Sequence, residues 1–185
     1  MLLLLNGPPG VGKSTVAARY VDSHPLALNL DIDLLRAQLG RWPDDPTRAG
    51  LLARDLAVAA ARTHLLAGHD VVVPQFLARP EFIDRLAALA DAVGVPFVEV
   101  ILLDSKENVL RRFQERDDTS KAVDPLDLST MYDQLLALAA ARPWARVIRT
   151  GSVEETVATL KAALTHIRMS HERRCCLPEA HPDRM

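Results

Sequence analysis

Gly7-Pro8-Pro9-Gly10-Val11-Gly12-Lys13-Ser14 satisfies the pattern G-x-x-x-x-G-K-[ST] in full, between an apolar run and a helix-forming stretch. Each residue type has a physical task there. The glycines let the backbone curl until several N–H groups point inward at phosphate oxygens. The helix that follows adds its positive N-terminal end. Lys13 offers a flexible charge to the β- and γ-phosphates, Ser14 a hydroxyl to magnesium, and Thr15 reaches the α-phosphate region. The pattern predicts binding of a nucleoside triphosphate with Mg2+, ATP first and GTP left open. By itself it does not separate a kinase from a GTPase, a motor or a regulatory ATPase.

A second cluster, Asp31-Ile32-Asp33-Leu34-Leu35-Arg36, follows the apolar run Leu26–Leu30. In an open α/β sheet, ligands gather beyond the carboxyl ends of the strands, so these carboxylates belong on the same rim as the phosphate loop. Asp33 opens a helix and Arg36 stands three residues on, which lets both share a face. Phosphoryl transfer to a hydroxyl needs a carboxylate that orients the hydroxyl and takes its proton. An arginine beside it holds an anionic group on the acceptor or neutralises charge. Taken singly, Asp33 also suits a helix N-cap, Asp31 a strand-end turn and Arg36 a solvated helix face. Taken together, after the second strand of a phosphate-loop chain, they point to the acceptor side of the reaction.

A third group lies further on. Arg111, Arg112 and Arg116 fall on one helix, with Arg112 and Arg116 four apart, and polar residues 117–124 follow. A segment over about 111–125 suits a closing lid, whose arginines would stabilise charge on the transferring phosphoryl group. The other reading is a solvated face paired internally to Glu115 and Asp117. Asp104 follows the run Val100–Leu103 as a Walker-B aspartate would. Its spacing to Glu107 suits a cap for the next helix equally well.

The phosphate loop with Asp31-Ile32-Asp33-Leu34-Leu35-Arg36 resembles the small AAA-type P-loop kinases that include polynucleotide 5′-kinases, adenylylsulfate kinases, chloramphenicol phosphotransferase and zeta-toxin-like kinases. Gln75-Phe76-Leu77-Ala78-Arg79-Pro80-Glu81 is similar to their segment after strand three, and Asp104–Arg116 to their lid-entry helix. The resemblance spans about Met1 to Arg168. It implies that Asp33 is the base, that Arg36 contacts the acceptor and that Arg112 and Arg116 serve from the lid. One departure stands out. Where such kinases often carry an acid after strand three, this chain has Gln75, which can bond a water but brings no charge. Either Asp31 or Asp104 then supplies the missing carboxylate beside Ser14, or the metal leans on Ser14 and the phosphates alone.

The elements that must position these residues can be read from the apolar pattern. Leu2–Leu5, Leu26–Leu30, Val71–Val73, Phe97–Leu103 and Val147–Ile148 read as strands. Between them come helices near 12–23, 33–39, 47–67, 81–93, 105–116 and 126–141, with a closing helix over 153–168. The alternation predicts a three-layer α/β domain over residues 1–168, its five parallel strands in the order 2-3-1-4-5 that the resemblance implies, followed by a loose tail over 169–185.

Composition narrows the partners. The 185 residues suit one domain. Net charge is −2 and aromatics are 4%, which disfavours a nucleic-acid or anionic membrane surface. No apolar run approaches the ~20 residues of a membrane span. Cys175 and Cys176 are adjacent and imply no disulfide framework, so a cytoplasmic setting is expected. The six histidines form no metal-ligand pairs. The reading is a phosphotransferase acting on a hydroxyl of a small molecule, such as an antibiotic, nucleoside or sugar derivative, as monomer or homodimer. A polynucleotide 5′-hydroxyl is the second choice, and a nucleotide-binding regulator with little turnover the third.

Overall fold

A computed structural model describes residues 1–115 and 125–175. Its five strands are β1 (Leu2–Asn6), β2 (Leu28–Asn29), β3 (Val71–Pro74), β4 (Phe97–Leu103) and β5 (Arg146–Arg149). They form one parallel sheet in the order β2-β3-β1-β4-β5, as expected. Because all strands run the same way, the ends of β1 at Asn6, β3 at Pro74 and β4 at Leu103 share one rim.

Strand β1 shows why the sheet has helices on both faces. Its leucines are all fully buried. Leu2 and Leu4 point to one face, Leu3 and Leu5 to the other. The first face packs against α3 (Pro46–Leu66), α4 (Pro80–Val93) and α6 (Pro125–Ala141) through Ala53, Ala57, Ala61, Ile83, Leu86 and Leu135. The second packs against α1 (Lys13–Asp22) and α7 (Val153–Cys175) through Val16, Ala17, Tyr20, Leu160 and Leu164. Alanine at every fourth position of α3 lets that helix lie close to the sheet.

Several boundaries differ from the sequence reading, each for a local reason. β2 begins at Leu28, not Leu26, because Leu26 takes a left-handed φ of 61° in the turn after α1. Helix α2 (Ile32–Ala37) begins before Asp33: the Asp31 side chain is its N-cap. Helix α5 (Lys106–Gln114) is capped by Ser105, whose Oγ accepts from the Asn108 N–H at 3.2 Å, so Asp104 is not its cap. A short 3-10 turn, Trp42–Asp44, sits in the expected loop. Helix α7 continues past Arg168 to Cys175. Among the described residues no helix is long and apolar enough to cross a membrane.

Candidate active site

The phosphate loop links β1 to α1. Two glycines are fixed by geometry. A Cβ on Gly7 would lie 2.8 Å from the Leu102 carbonyl of β4, closer than atoms can approach. Gly10 has φ +89°, and a Cβ there would stand 3.1 Å from the Val109 carbonyl of α5. The loop is therefore pressed against the helix that leads to Arg112. Lys13 donates to the carbonyls of Gly7 at 2.8 Å and Pro8 at 3.0 Å, which keeps its ammonium within the curl of the loop. Ser14 and Thr15 are exposed in the first turn of α1.

Asn6, the last residue of β1, is fully buried and was not singled out from the sequence. Its Oδ1 accepts from the Gly7 N–H at 2.8 Å and the Leu77 N–H at 2.9 Å. Its Nδ2 donates to the Leu77 carbonyl at 2.8 Å. One carboxamide thus ties the phosphate loop to the segment after β3. The sequence signal was present: an amide ending an otherwise apolar strand needs buried partners.

On α2, Arg36 Nη2 lies 3.1 Å from Asp33 Oδ1, with both side chains about one-third exposed. The guanidinium stands 4.7 Å from the centre of the Trp42 ring. Arg36 Nε and Gln75 Oε1 are buried without a hydrogen-bond partner among the described residues. Such groups are satisfied when a ligand or water arrives. Asp31 spends Oδ1 on the N–H groups of Asp33 at 2.9 Å and Leu34 at 3.3 Å, leaving Oδ2 outside the cap.

Beyond β3 opens a cavity of about 410 Å3, lined by Arg54 of α3, Phe76, Leu77, Ala78, Arg79, Glu81 and Phe82. The Arg54 guanidinium lies 5.4 Å from the Phe82 ring centre. Two cations and two aromatic rings suit a ligand with an anionic group and a flat or apolar body. Nothing in the sequence joins Gln75–Glu81, a segment marked by its family likeness, to Arg54.

At the β4 exit, Arg112 Nη2 lies 2.9 Å from Asp104 Oδ2. Asp104 Oδ1 accepts from the Ser105 N–H at 2.7 Å and from Asn108 Nδ2 at 3.0 Å. Burial alone would raise the Asp104 pKa. The bonds from Asn108 and Ser105 and the charge of Arg112 outweigh it and hold the carboxyl below its ordinary value. Arg112 is thus held by Asp104 and not by Glu115. Arg111 lies outward, bonded to Asn108 at 3.2 Å. Arg116 and residues 117–124, the rest of the expected lid, lie outside the described residues, as does the tail from 176.

The sequence model of the AAA domain family matches residues 2–140. An adenylate kinase from Synechococcus sp. (strain RCC307) is 32% identical over 180 residues, covering 88% of this chain and 97% of the relative. Among solved structures, the Deinococcus radiodurans tunicamycin resistance protein has a TM-score of 0.62 at 16% identity, covering 88% of this chain and 94% of that one. A gluconokinase from Sinorhizobium meliloti 1021 has a TM-score of 0.62 at 18% identity, covering 91% and 95%. At these identities the structural likenesses speak for the fold alone.

Proposed function

The chain belongs to the AAA domain family and is a P-loop kinase, and from that premise we propose that it moves the γ-phosphoryl group of ATP to a hydroxyl of a small acceptor bearing an anionic group. The observation that carries this reading is the Asp33–Arg36 pair, 3.1 Å apart on α2. It sets a carboxylate and a cation together just beyond the end of β2, which supports an acceptor site there. The loop N–H groups and Lys13 hold the β- and γ-phosphates, and the ammonium exchanges the Gly7 and Pro8 carbonyls for phosphate oxygens. The acceptor oxygen attacks the γ-phosphorus and gives its proton to Asp33. The bond from phosphorus to the bridging oxygen breaks, and ADP leaves. Arg36, steadied by Trp42, holds the anionic group of the acceptor. The cavity of Arg54, Phe76, Arg79 and Phe82 receives the rest. Arg112 exchanges Asp104 for the charge that develops on the phosphoryl oxygens.

The side chains present fit a magnesium ion. Ser14 offers an exposed hydroxyl and Asp31 a carboxylate oxygen outside its cap. Among the described residues no cluster of three or more His, Cys, Asp or Glu side chains forms a cage. That donor set suits an ion that keeps most of its shell as water and phosphate oxygen. Bound there, it would neutralise phosphate charge.

A second reading has support from the adenylate kinase relative, whose name implies a nucleotide acceptor. A phosphate oxygen is already deprotonated and needs no base. The two readings divide on Asp33→Asn, run beside wild type in an assay of ADP release. The acceptors are nucleosides, nucleoside monophosphates, sugars, antibiotics and 5′-hydroxyl oligonucleotides. The expected result is a stimulated rate with one acceptor, lowered about a hundredfold or more in Asp33→Asn while ATP still binds. A rate that survives the substitution removes Asp33 as base. If its acceptor is a nucleoside monophosphate, the second reading replaces the first.

A further inference from the structure

Helix α3 buries Ala49, Ala53, Ala57, Ala61 and Leu65. Its opposite side carries Leu52, Leu56, Ala59, Thr63 and Leu66, at successive steps of four, three, four and three residues, all exposed. Leu52 and Leu56 are 47% exposed and Leu66 57%. Alternating steps of three and four keep side chains on one line along a helix, here over about 21 Å. The outward meridian of a surface helix ordinarily carries charge. The stripe's one hydroxyl, Thr63 Oγ1, already donates its proton to the Ala59 carbonyl at 3.1 Å, so no side-chain donor on the stripe is left for water.

The charges beside the stripe say what covers it. Asp55 and Arg62 lie on the same flank, Asp55 four residues before Ala59 and Arg62 three after it. Arg62 makes no ion pair among the described residues. Asp55 binds Arg85 of α4 through Oδ1 and is 58% exposed. A twofold rotation beside Ala59 sets two such helices antiparallel and brings the same flank of each together. It puts Leu52 against Leu66 of the second copy and Leu56 against Thr63. It also brings Asp55 within about 1.5 Å, measured along the axis, of the second copy's Arg62. Each of these pairs forms twice. Ala59 at the centre allows the helices to approach closely. A face made for an unrelated partner has no cause to complement itself about one point. We propose that α3 is the contact between two copies of this chain, packed antiparallel about a twofold axis at Ala59.

Analytical ultracentrifugation of the full chain tests this without any knowledge of the acceptor. Wild type is expected to shift from monomer to dimer mass with rising concentration. Arg62→Asp sets acid against acid twice across the axis, and Asp55→Arg sets arginine against arginine. Each variant alone is expected to stay monomeric, with the circular dichroism of wild type. An equimolar mixture restores opposite charges at both positions and is expected to regain the dimer mass, which a misfolded variant would not do. Wild type that stays monomeric at every concentration overturns the proposal. So does a dimer in either variant alone, or a mixture that stays monomeric.

Discussion

At the scale of single residues, the candidate site depends on Asn6 as much as on the residues of the phosphate loop itself. Its carboxamide is the shared partner of Gly7 and Leu77. Asn6→Ala leaves two N–H groups and a carbonyl without that partner in a fully buried place. At about 1–3 kcal/mol for each buried polar group left unmade, the variant is expected to lose on the order of 3 kcal/mol or more in urea unfolding and to bind ATP more weakly. Unchanged stability would mean that water replaces the amide. The sequence marked Lys13, Asp33 and Arg36 because their types and spacing carry chemistry. For Asn6 it held the signal of an amide ending an apolar strand but not the identity of its partners, which depends on where distant backbone groups arrive. Arg112 was marked for the lid, but its pairing with Asp104 was masked by nearer acids such as Glu115.

Between elements, the least obvious joint is Arg142, just past the end of α6. It is 7% exposed and donates to Glu99 of β4 at 2.8 Å and to Asp84 of α4 at 2.9 Å. Breaking a buried ion pair from one side strands the other charge, at a cost of about 3–5 kcal/mol. Arg142→Ala is expected to destabilise the chain by about that much in urea unfolding. Replacing both Glu99 and Arg142 by leucine should recover most of it, since no lone charge then stays buried. A double variant as unstable as the single one would show that shape and not charge holds the joint. The strands and helices themselves were largely legible, because unbroken apolar runs such as Leu2–Leu5 have one stable place, the middle of a covered parallel sheet. Their ends were less so. Asp33 and Asp104 were the expected caps, but the neighbouring Asp31 and Ser105 take those places, because backbone angles that residue type alone does not fix decide between neighbours.

For the whole molecule, the rim collects the ends of β1, β2, β3 and β4, so a nucleotide that engages the phosphate loop should stabilise the entire fold. A ligand that binds only the folded chain adds about 2.7 kcal/mol at a hundredfold excess over its Kd. ATP with Mg2+ is expected to raise the thermal midpoint accordingly, and Lys13→Ala to abolish most of the rise. A full rise in Lys13→Ala would place the nucleotide elsewhere. The parallel sheet that builds this rim followed from alternation of the elements and its strand order from the family resemblance, whereas the cavity between Arg54 and Phe82 joins α3 to α4 across long chain separations and became visible only in three dimensions. Because Asn6 grips the main chain of Leu77, and not its side chain, the cavity is open to one kind of change and closed to another. On the proposed reading of the cavity, exchanging the side chains of Phe76, Arg79 or Phe82 leaves the grip intact and retunes which acceptor is admitted. Inserting or deleting a residue between Gln75 and Leu77 would drag on Gly7, so a lineage carrying this amide is free to drift in acceptor preference by substitution but not by loop length.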